Sequence, residues 1–276
     1  MTLAVGFFDG VHLGHRRILA GADAVLTFRN HPLSVICPAA APPLLMSVGE
    51  RIALLATAGA KAPRTVHAVR FTKRFASMPP EEFIAFLKRE FPGLEKVQCG
   101  GNWRFGAGGA GVPRMLKEAG IPVKVSKHVM FGGCAISSTR IRSALAEGDL
   151  GLANAMLGRR FSVSGKAVSG KGVGGKMGAP TINLKVTAPL KLGVYAVDTR
   201  FGRGVANYGL APTMGDSAWT EPVLEVHLLD AGDCGVPFRG QLNVEFDRFL
   251  RPERKFPDAA SLCRQIAADV AAAQKP

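Results

Sequence analysis

The chain has 276 residues and is 47% hydrophobic, enough for one or two packed domains and outside the range of disordered proteins. Its formal charge of +14, from 35 basic and 21 acidic residues, favours an anionic partner: nucleotide, nucleic acid or membrane surface. The basic residues are scattered, only two Trp and two Tyr are available to stack on bases, and Pro and charges interrupt every apolar stretch, so a nucleotide enzyme fits better than a nucleic-acid binder or a membrane protein.

The first apolar run, Leu3-Ala4-Val5, stops at Gly6 and leads into Phe8, Asp9, Gly10, His12, Gly14 and His15. This reads as a buried strand, a turn and a helix start, where free N–H groups and two imidazoles can meet a polyphosphate. A turn with two surface histidines is the alternative. Residues 24–28 form a second apolar run ending at Arg29-Asn30-His31-Pro32. Pro32 cannot continue a ladder, so His31 is expected at a strand end, where parallel sheets bind ligands; a structural histidine capping a turn is the alternative. Residues 37–44 read as a loop, and Ser47 with Glu50 as a capping box opening a helix through Ala58.

Residues 66–71 and 96–99 are further strand candidates, with a helix between them that starts near Pro79-Pro80-Glu81-Glu82. Gly100 to Gly109 holds Asn102, Trp103 and Arg104 and reads either as a flexible loop or as one closing over a flat ring and an anion. A helix over 111–119 and a strand over 121–125 complete a β-α repeat, which predicts a Rossmann-like open parallel sheet. Ser137, Ser138 and Thr139 then stand at a helix start, with Arg140 and Arg142 in its first turns. Hydroxyls, free N–H groups and guanidinium forks make a phosphate grip; a plain helix cap is the alternative.

At Gly158 helical periodicity gives way to alternation, and residues 158–249 read as short strands of an antiparallel barrel or sandwich, closed by a helix over 257–273. Domains are therefore expected at 1–157 and 158–276. Gly165 to Asn183 is rich in Gly and Lys, including Gly170, Lys171 and Gly178, and can form an anion nest without being a Walker A loop. In Pro180-Thr181-Ile182-Asn183, a strand would put Thr181 and Asn183 on one face as oxygen ligands for Mg²⁺ and its phosphates; a plain β-turn is the alternative. Leu224-Glu225-Val226-His227-Leu228 puts Glu225 and His227 opposite three apolar residues, and a carboxylate so placed can take a hydroxyl proton in phosphoryl transfer; an ordinary exposed Glu on a barrel strand is the alternative. Residues 250–256 read as a solvated charged turn. Cysteines at 37, 99, 134, 234 and 263 form no C-x-x-C pair, and no secretory signal pattern opens the chain, so a reducing cytoplasm is expected.

Taken in order, these motifs resemble one family. Gly6-x-Phe8-Asp9-x-x-His12-x-Gly14-His15 resembles the nucleotide signature of the nucleotidyltransferase superfamily. Residues 27–32, 100–106 and 136–142, followed by Gly178-x-Pro180-Thr181-x-Asn183, 193–195, 212–213, 224–227 and 250–256, resemble bacterial bifunctional riboflavin kinase/FAD synthetase. The resemblance implies that the second domain phosphorylates riboflavin to FMN with ATP, with Thr181 and Asn183 holding Mg-ATP and Glu225 as base. It implies that the first domain adenylylates FMN to FAD and releases pyrophosphate. There His12 and His15 would meet the ATP phosphates, Ser137, Ser138, Thr139 and Arg142 would hold them from the other side, and His31, Asn102 and Trp103 would lie near the flavin. Three features depart from the family pattern: the short segment between His15 and Thr27, which predicts a truncated first helix, Ala179 where an aromatic is usual, and the few residues before the first strand. The competing readings are the same fold with the kinase step alone, and a basic nucleic-acid-binding protein supported only by the net charge.

Overall fold

Five short segments become parallel strands, and after each of the first four a Gly, Pro or cap signal stops the strand before the chain enters a helix. They are β1 (Thr2–Val5), β2 (Ala24–Phe28), β3 (Thr65–Val69), β4 (Lys96–Gly100) and β5 (Val123–Ser126), in the order β3-β2-β1-β4-β5. The structure, a computed structural model, describes residues 1–59, 64–168, 181–210, 222–229, 240–254 and 256–274. It divides into two compact units, Met1–Ser138 and Thr139–Pro276.

The sheet of the first unit is covered on both faces. Leu3, Val5, Leu26, Val97 and Cys99 face α5 (Pro80–Glu90) and α6 (Pro113–Glu118) through Phe83, Ile84, Leu87 and Leu116. Ala4 and Val25, one residue out of phase, face α1 (Leu13–Leu19) and α3 (Val48–Thr57) through Leu19 and Leu55. Each fully buried Leu or Phe contributes about 1.5–3 kcal/mol. The expected short first helix is found, at seven residues. The expected capping box is formed as well: Glu50 N donates to Ser47 Oγ at 3.3 Å and Ser47 N to the Glu50 carboxylate at 2.8 Å. At the other end of α3, Arg64 donates to the carbonyls of Leu55 at 2.8 Å and Ala58 at 3.1 Å, taking up groups that the helix leaves unpaired.

The strand order reverses beside β1: the chain runs outward through β2 and β3, then returns to place β4 on the other side. Loops that leave the carboxyl ends of β1 and β4 therefore flank a topological switch point, where open α/β sheets bind ligands. The first of these loops carries His12 and the second carries Asn102 and Trp103. The short elements α2 (Leu33–Ile36), α4 (Lys73–Ala76) and the hairpin β6 (Met130–Phe131) with β7 (Cys134–Ala135) carry no sequence signal strong enough to foresee. Residues 37–44, expected as loop, hold one 3₁₀ turn at Pro38–Ala40.

In the second unit, α7 (Ser138–Glu147, whose first residue belongs to the first unit) and α8 (Leu150–Leu157) precede the barrel. Asp149 caps α8, accepting from Leu152 N at 2.9 Å, and Gly158 ends it in the left-handed conformation at φ 67°. Strands β8 (Phe161–Val168), β9 (Thr181–Lys185), β10 (Gly193–Thr199), β11 (Gly202–Leu210), β12 (Pro222–Leu228) and β13 (Gln241–Arg251) close a barrel in the order β10-β11-β12-β9-β8-β13. Alternation fills its interior with Phe161, Tyr195, Tyr208, Leu224, Val226 and Phe246.

The terminal helix α9 (Ala259–Gln274) is tied to the strands by charge. Arg251 grips Asp269 bidentately at 2.9 and 2.7 Å, and Gln265 donates to the same carboxylate at 2.7 Å. Arg203 and Arg248 donate to the last-turn carbonyls Ala273 and Ala272 at 2.6 and 2.7 Å. The solvated turn expected over 250–256 is thus corrected at its start: Leu250 and Arg251 finish β13, and Arg251 is held by an almost fully buried carboxylate.

Candidate active sites

In the first unit the expected phosphate residues come from a loop whose backbone is unusual. Phe8, Gly10 and Val11 all have positive φ, at 58°, 81° and 40°. For Phe and Val this costs about 1–3 kcal/mol each, so the loop must be held from outside. The holds are visible. Gly6 N donates to Leu26 O at 3.2 Å, and Thr27 Oγ1 to Phe7 O at 3.0 Å. Leu45 N donates to both carboxylate oxygens of buried Asp9, at 3.1 and 3.0 Å. Ser138 Oγ donates to Asp9 O at 2.8 Å, which brings the hydroxyl-rich segment to the loop.

His12 caps α1, with Nδ1 accepting from His15 N at 3.2 Å. One of the free N–H groups foreseen at this helix start is therefore used inside the protein. With Nδ1 as acceptor, a neutral His12 ring carries its proton on Nε2, as a donor. The two imidazoles stack at 3.5 Å between centroids and 17° between planes. Burial first, then the nearby charges of His12 and Arg51, hold the His15 pKa well below the ordinary imidazole value. Gly14 makes room for this arrangement: a Cβ there would lie 3.1 Å from His12 Cε1 and Nδ1.

His31 stands just after β2, its Nδ1 accepting from Leu33 N at 3.1 Å and its ring meeting Phe7 edge-on at 4.7 Å. Ser137 and Ser138 lie at the end of the first unit, and Thr139 and Arg142 follow in α7. Asn102 is exposed after β4, whereas Trp103 is half-buried against Phe105 at 4.9 Å and Phe83 at 6.2 Å. Sequence reasoning passed over Arg51. It falls on the buried face of α3 with Leu55 and Ala58, and a charge interrupting that stripe was the available signal.

The second cluster lies on the barrel's outer surface and is built by register. Asn183 of β9 pairs with Glu225 of β12, and Glu225 pairs with Asn207 of β11. Thr181 pairs with His227 one step along the same face. Leu224 and Val226 point the other way, into the core. Asn183 is 9% exposed, Thr181 and Glu225 more so. Although Glu225 keeps an exposed side chain, its carboxylate loses enough solvent for its pKa to rise above the ordinary range, and the like charge of Glu253 raises it further. Asn207 Nδ2 donates to Glu253 Oε1 at 3.3 Å. Gly209 leaves the space Glu253 occupies: a Cβ there would fall 1.8 Å from Oε1. Asn207 was foreseeable only as a polar residue on an alternating strand. The threonine, two amides and carboxylate form an all-oxygen donor set of the kind Mg²⁺ takes. Gly170, Lys171, Gly178 and Pro180 lie outside the described residues, as do residues 212–213 and Lys255.

Each half of the chain matches a described family. A family described as FAD synthetase matches residues 1–140, and one described as riboflavin kinase matches residues 157–276. A bifunctional riboflavin kinase/FMN adenylyltransferase of Escherichia coli (strain K12) is 35% identical, over 97% of this chain and 90% of its own. That of Pseudomonas fluorescens is 34% identical, over 98% and 91%. A crystal structure described as a macrolide-efflux protein from Streptococcus pneumoniae superimposes with a TM-score of 0.83 over 100% of this chain and 94% of its own; at 24% identity it speaks to fold alone. Among the described residues no helix is long and apolar enough to cross a membrane.

Proposed function

The chain belongs to the bifunctional riboflavin kinase/FMN adenylyltransferase family, and from that premise we propose which residues carry each step. We assign adenylyl transfer to residues 1–157 and riboflavin phosphorylation to residues 158–276, because each half carries its own cluster suited to phosphate chemistry.

In the kinase step the riboflavin 5′-hydroxyl gives its proton to Glu225 while its oxygen attacks the γ-phosphorus of ATP, and ADP leaves. The observation that carries this reading is the ladder register that sets Asn183 directly beside Glu225. Thr181 and Asn183 would hold the phosphates and a Mg²⁺ ion, and Gly170, Lys171, Gly178 and Pro180, outside the described residues, are assigned to the same ATP. Mg²⁺ would supply charge neutralisation at the transferring phosphoryl group. A base with a raised pKa is closer in proton affinity to the group it serves, and its activity falls as the pH drops through that pKa.

In the adenylyl step a phosphate oxygen of FMN attacks the α-phosphorus of ATP and pyrophosphate leaves. His12 donates from Nε2 toward the phosphates. His15, neutral in the resting protein, gains affinity for a proton when the polyphosphate's negative charge arrives beside it. Gly6, Phe8, Asp9 and Gly14 shape the loop, and Ser137, Ser138, Thr139 and Arg142 take the other side of the polyphosphate. His31, Asn102 and Trp103 receive the flavin. The cysteine usage suits a cytoplasmic enzyme whose partners are riboflavin, FMN, FAD and ATP, without nucleic acid or membrane.

Incubation with riboflavin, ATP and Mg²⁺, followed by chromatographic separation of the three flavins, tests the assignment. Glu225→Ala should block FMN formation, by on the order of 10²–10⁴-fold for loss of a general base, and leave conversion of supplied FMN to FAD intact. His15→Ala should do the reverse. Loss of both steps in either folded variant would sink the division, and FMN without FAD from the unaltered protein would leave a kinase alone.

A further inference from the structure

Arg51 is fully enclosed at 0% exposure, on the face of α3 that also buries Leu55 and Ala58. A guanidinium taken out of water is costly unless its neighbours answer its charge and its donors, and methionine would fill a similar space without that cost. The neighbours answer it selectively. Nη2 donates to Phe28 O, the last carbonyl of β2, and reaches Arg29 O at 3.4 Å. The guanidinium carbon lies 4.1 Å from the centre of the Phe7 ring, on the loop after β1. That ring in turn meets His31 at 4.7 Å. The charge of Arg51 is felt by His15 and is in turn favoured by the carboxylate of Asp9. Nε and Nη1 have no hydrogen-bond partner among the described residues. One side chain thus touches both segments that carry the histidines of the first cluster.

We propose that Arg51 is a positioning residue for adenylyl transfer, a clasp holding the loop of His12 and His15 against the strand end of His31. The proposal rests on the reading that these histidines serve the adenylyl step. It explains why a cation is buried where an apolar residue would pack: carbonyls at a strand end accept from a donor and the Phe7 face attracts a cation, and a planar fork meets both at once. It also explains how a loop with three left-handed residues stays in one conformation without a helix or strand of its own.

The experiment compares Arg51→Met and Arg51→Lys in the full-length protein. FAD formation is measured from supplied FMN with ATP varied, and FMN formation from riboflavin is measured in the same preparation. Arg51→Met should lower kcat for FAD formation on the order of 10²-fold with little change in the KM for ATP, because a displacement of about 1 Å is enough for such a loss. FMN formation should be unchanged, and Arg51→Lys, which keeps the charge and a donor, should recover part of the rate. A kcat for Arg51→Met within about twofold of the unaltered protein overturns the proposal. So does a parallel loss of both activities, or an equal loss in Arg51→Lys. Should Arg51→Met fail to fold, Phe7→Leu carries the test: it removes the ring and keeps the carbonyl bonds, so a fall of about tenfold supports the clasp and an unchanged kcat overturns it. If His15→Ala leaves FAD formation untouched, the reading of the site falls. If His15→Ala blocks FAD formation and Arg51→Met does not, only the clasp falls.

Discussion

In the first unit Gly6, Phe8, Asp9 and His12 ride on a loop between β1 and α1, with positive φ at Phe8, Gly10 and Val11, and His15 follows in α1; in the barrel the candidates stand on β9, β12 and β11 in straight register. The loop is fixed by bonds from elsewhere: Thr27, Leu45, Ser138 and, through its ring, Arg51. The barrel cluster is fixed by the sheet ladder itself. A loop can aim several groups at one point but depends on distant anchors. A ladder needs no distant anchor but offers only the residues that face one way.

The contrast can be broken most severely at the barrel's outer support. Asp269→Ala leaves Arg251 without its almost buried partner and should destabilise the second unit by about 3 kcal/mol. On warming, FMN formation should then be lost before FAD formation, measured as residual activity after brief incubation; simultaneous loss would show that the ladder's support is not local. A smaller effect is expected at Gly14, where Ala favours the helix but puts a Cβ 3.1 Å from the His12 ring. Gly14→Ala should lower FAD formation about tenfold by displacing the ring, with FMN formation and the melting temperature unchanged or slightly raised. Retained FAD formation would mean that the stacked imidazoles tolerate movement. The smallest effect is a shift of profile. Glu253→Gln removes a like charge from beside Glu225, so the acid limb of FMN formation should move to lower pH. It should not return to ordinary carboxylate behaviour, since desolvation is the larger cause. A limb that stays in place would assign it to another group.

The barrel site was the more legible of the two from sequence. Alternation over 224–228 places Glu225 on the outer face without any knowledge of the partner strand, and Thr181 and Asn183 share a face by the same two-residue rule. The sequence could not supply the register that sets Asn183 rather than Thr181 opposite Glu225, nor the fold-back that brings Glu253 to Asn207; both depend on long-range pairing. In the first unit the β-α repeat gave the sheet, and Pro32 correctly put His31 at a strand end. The left-handed residues were hidden, because Phe8 and Val11 are side chains that rarely adopt such backbone angles. Arg51 was nearly hidden for a related reason: a basic residue in a helix ordinarily reads as solvated, and its place in the stripe of Leu55 and Ala58 was the one signal against that. The turn expected over 250–256 failed at Arg251 because composition alone does not show that α9 brings a carboxylate to meet it.

The guanidinium–carbonyl bonds have a consequence for the charge of the whole chain. Arg51 donates at the end of β2, Arg64 at the end of α3, and Arg203 and Arg248 at the end of α9, each giving at least one donor to a backbone oxygen there. Arginine does here what glycine and asparagine caps do elsewhere. Part of the surplus written as +14 is therefore an architectural allotment, committed to the negative ends of the protein's own segments before any phosphate arrives. A high basic count measures, in this chain, how its helices and strands are brought to a stop as well as what it binds.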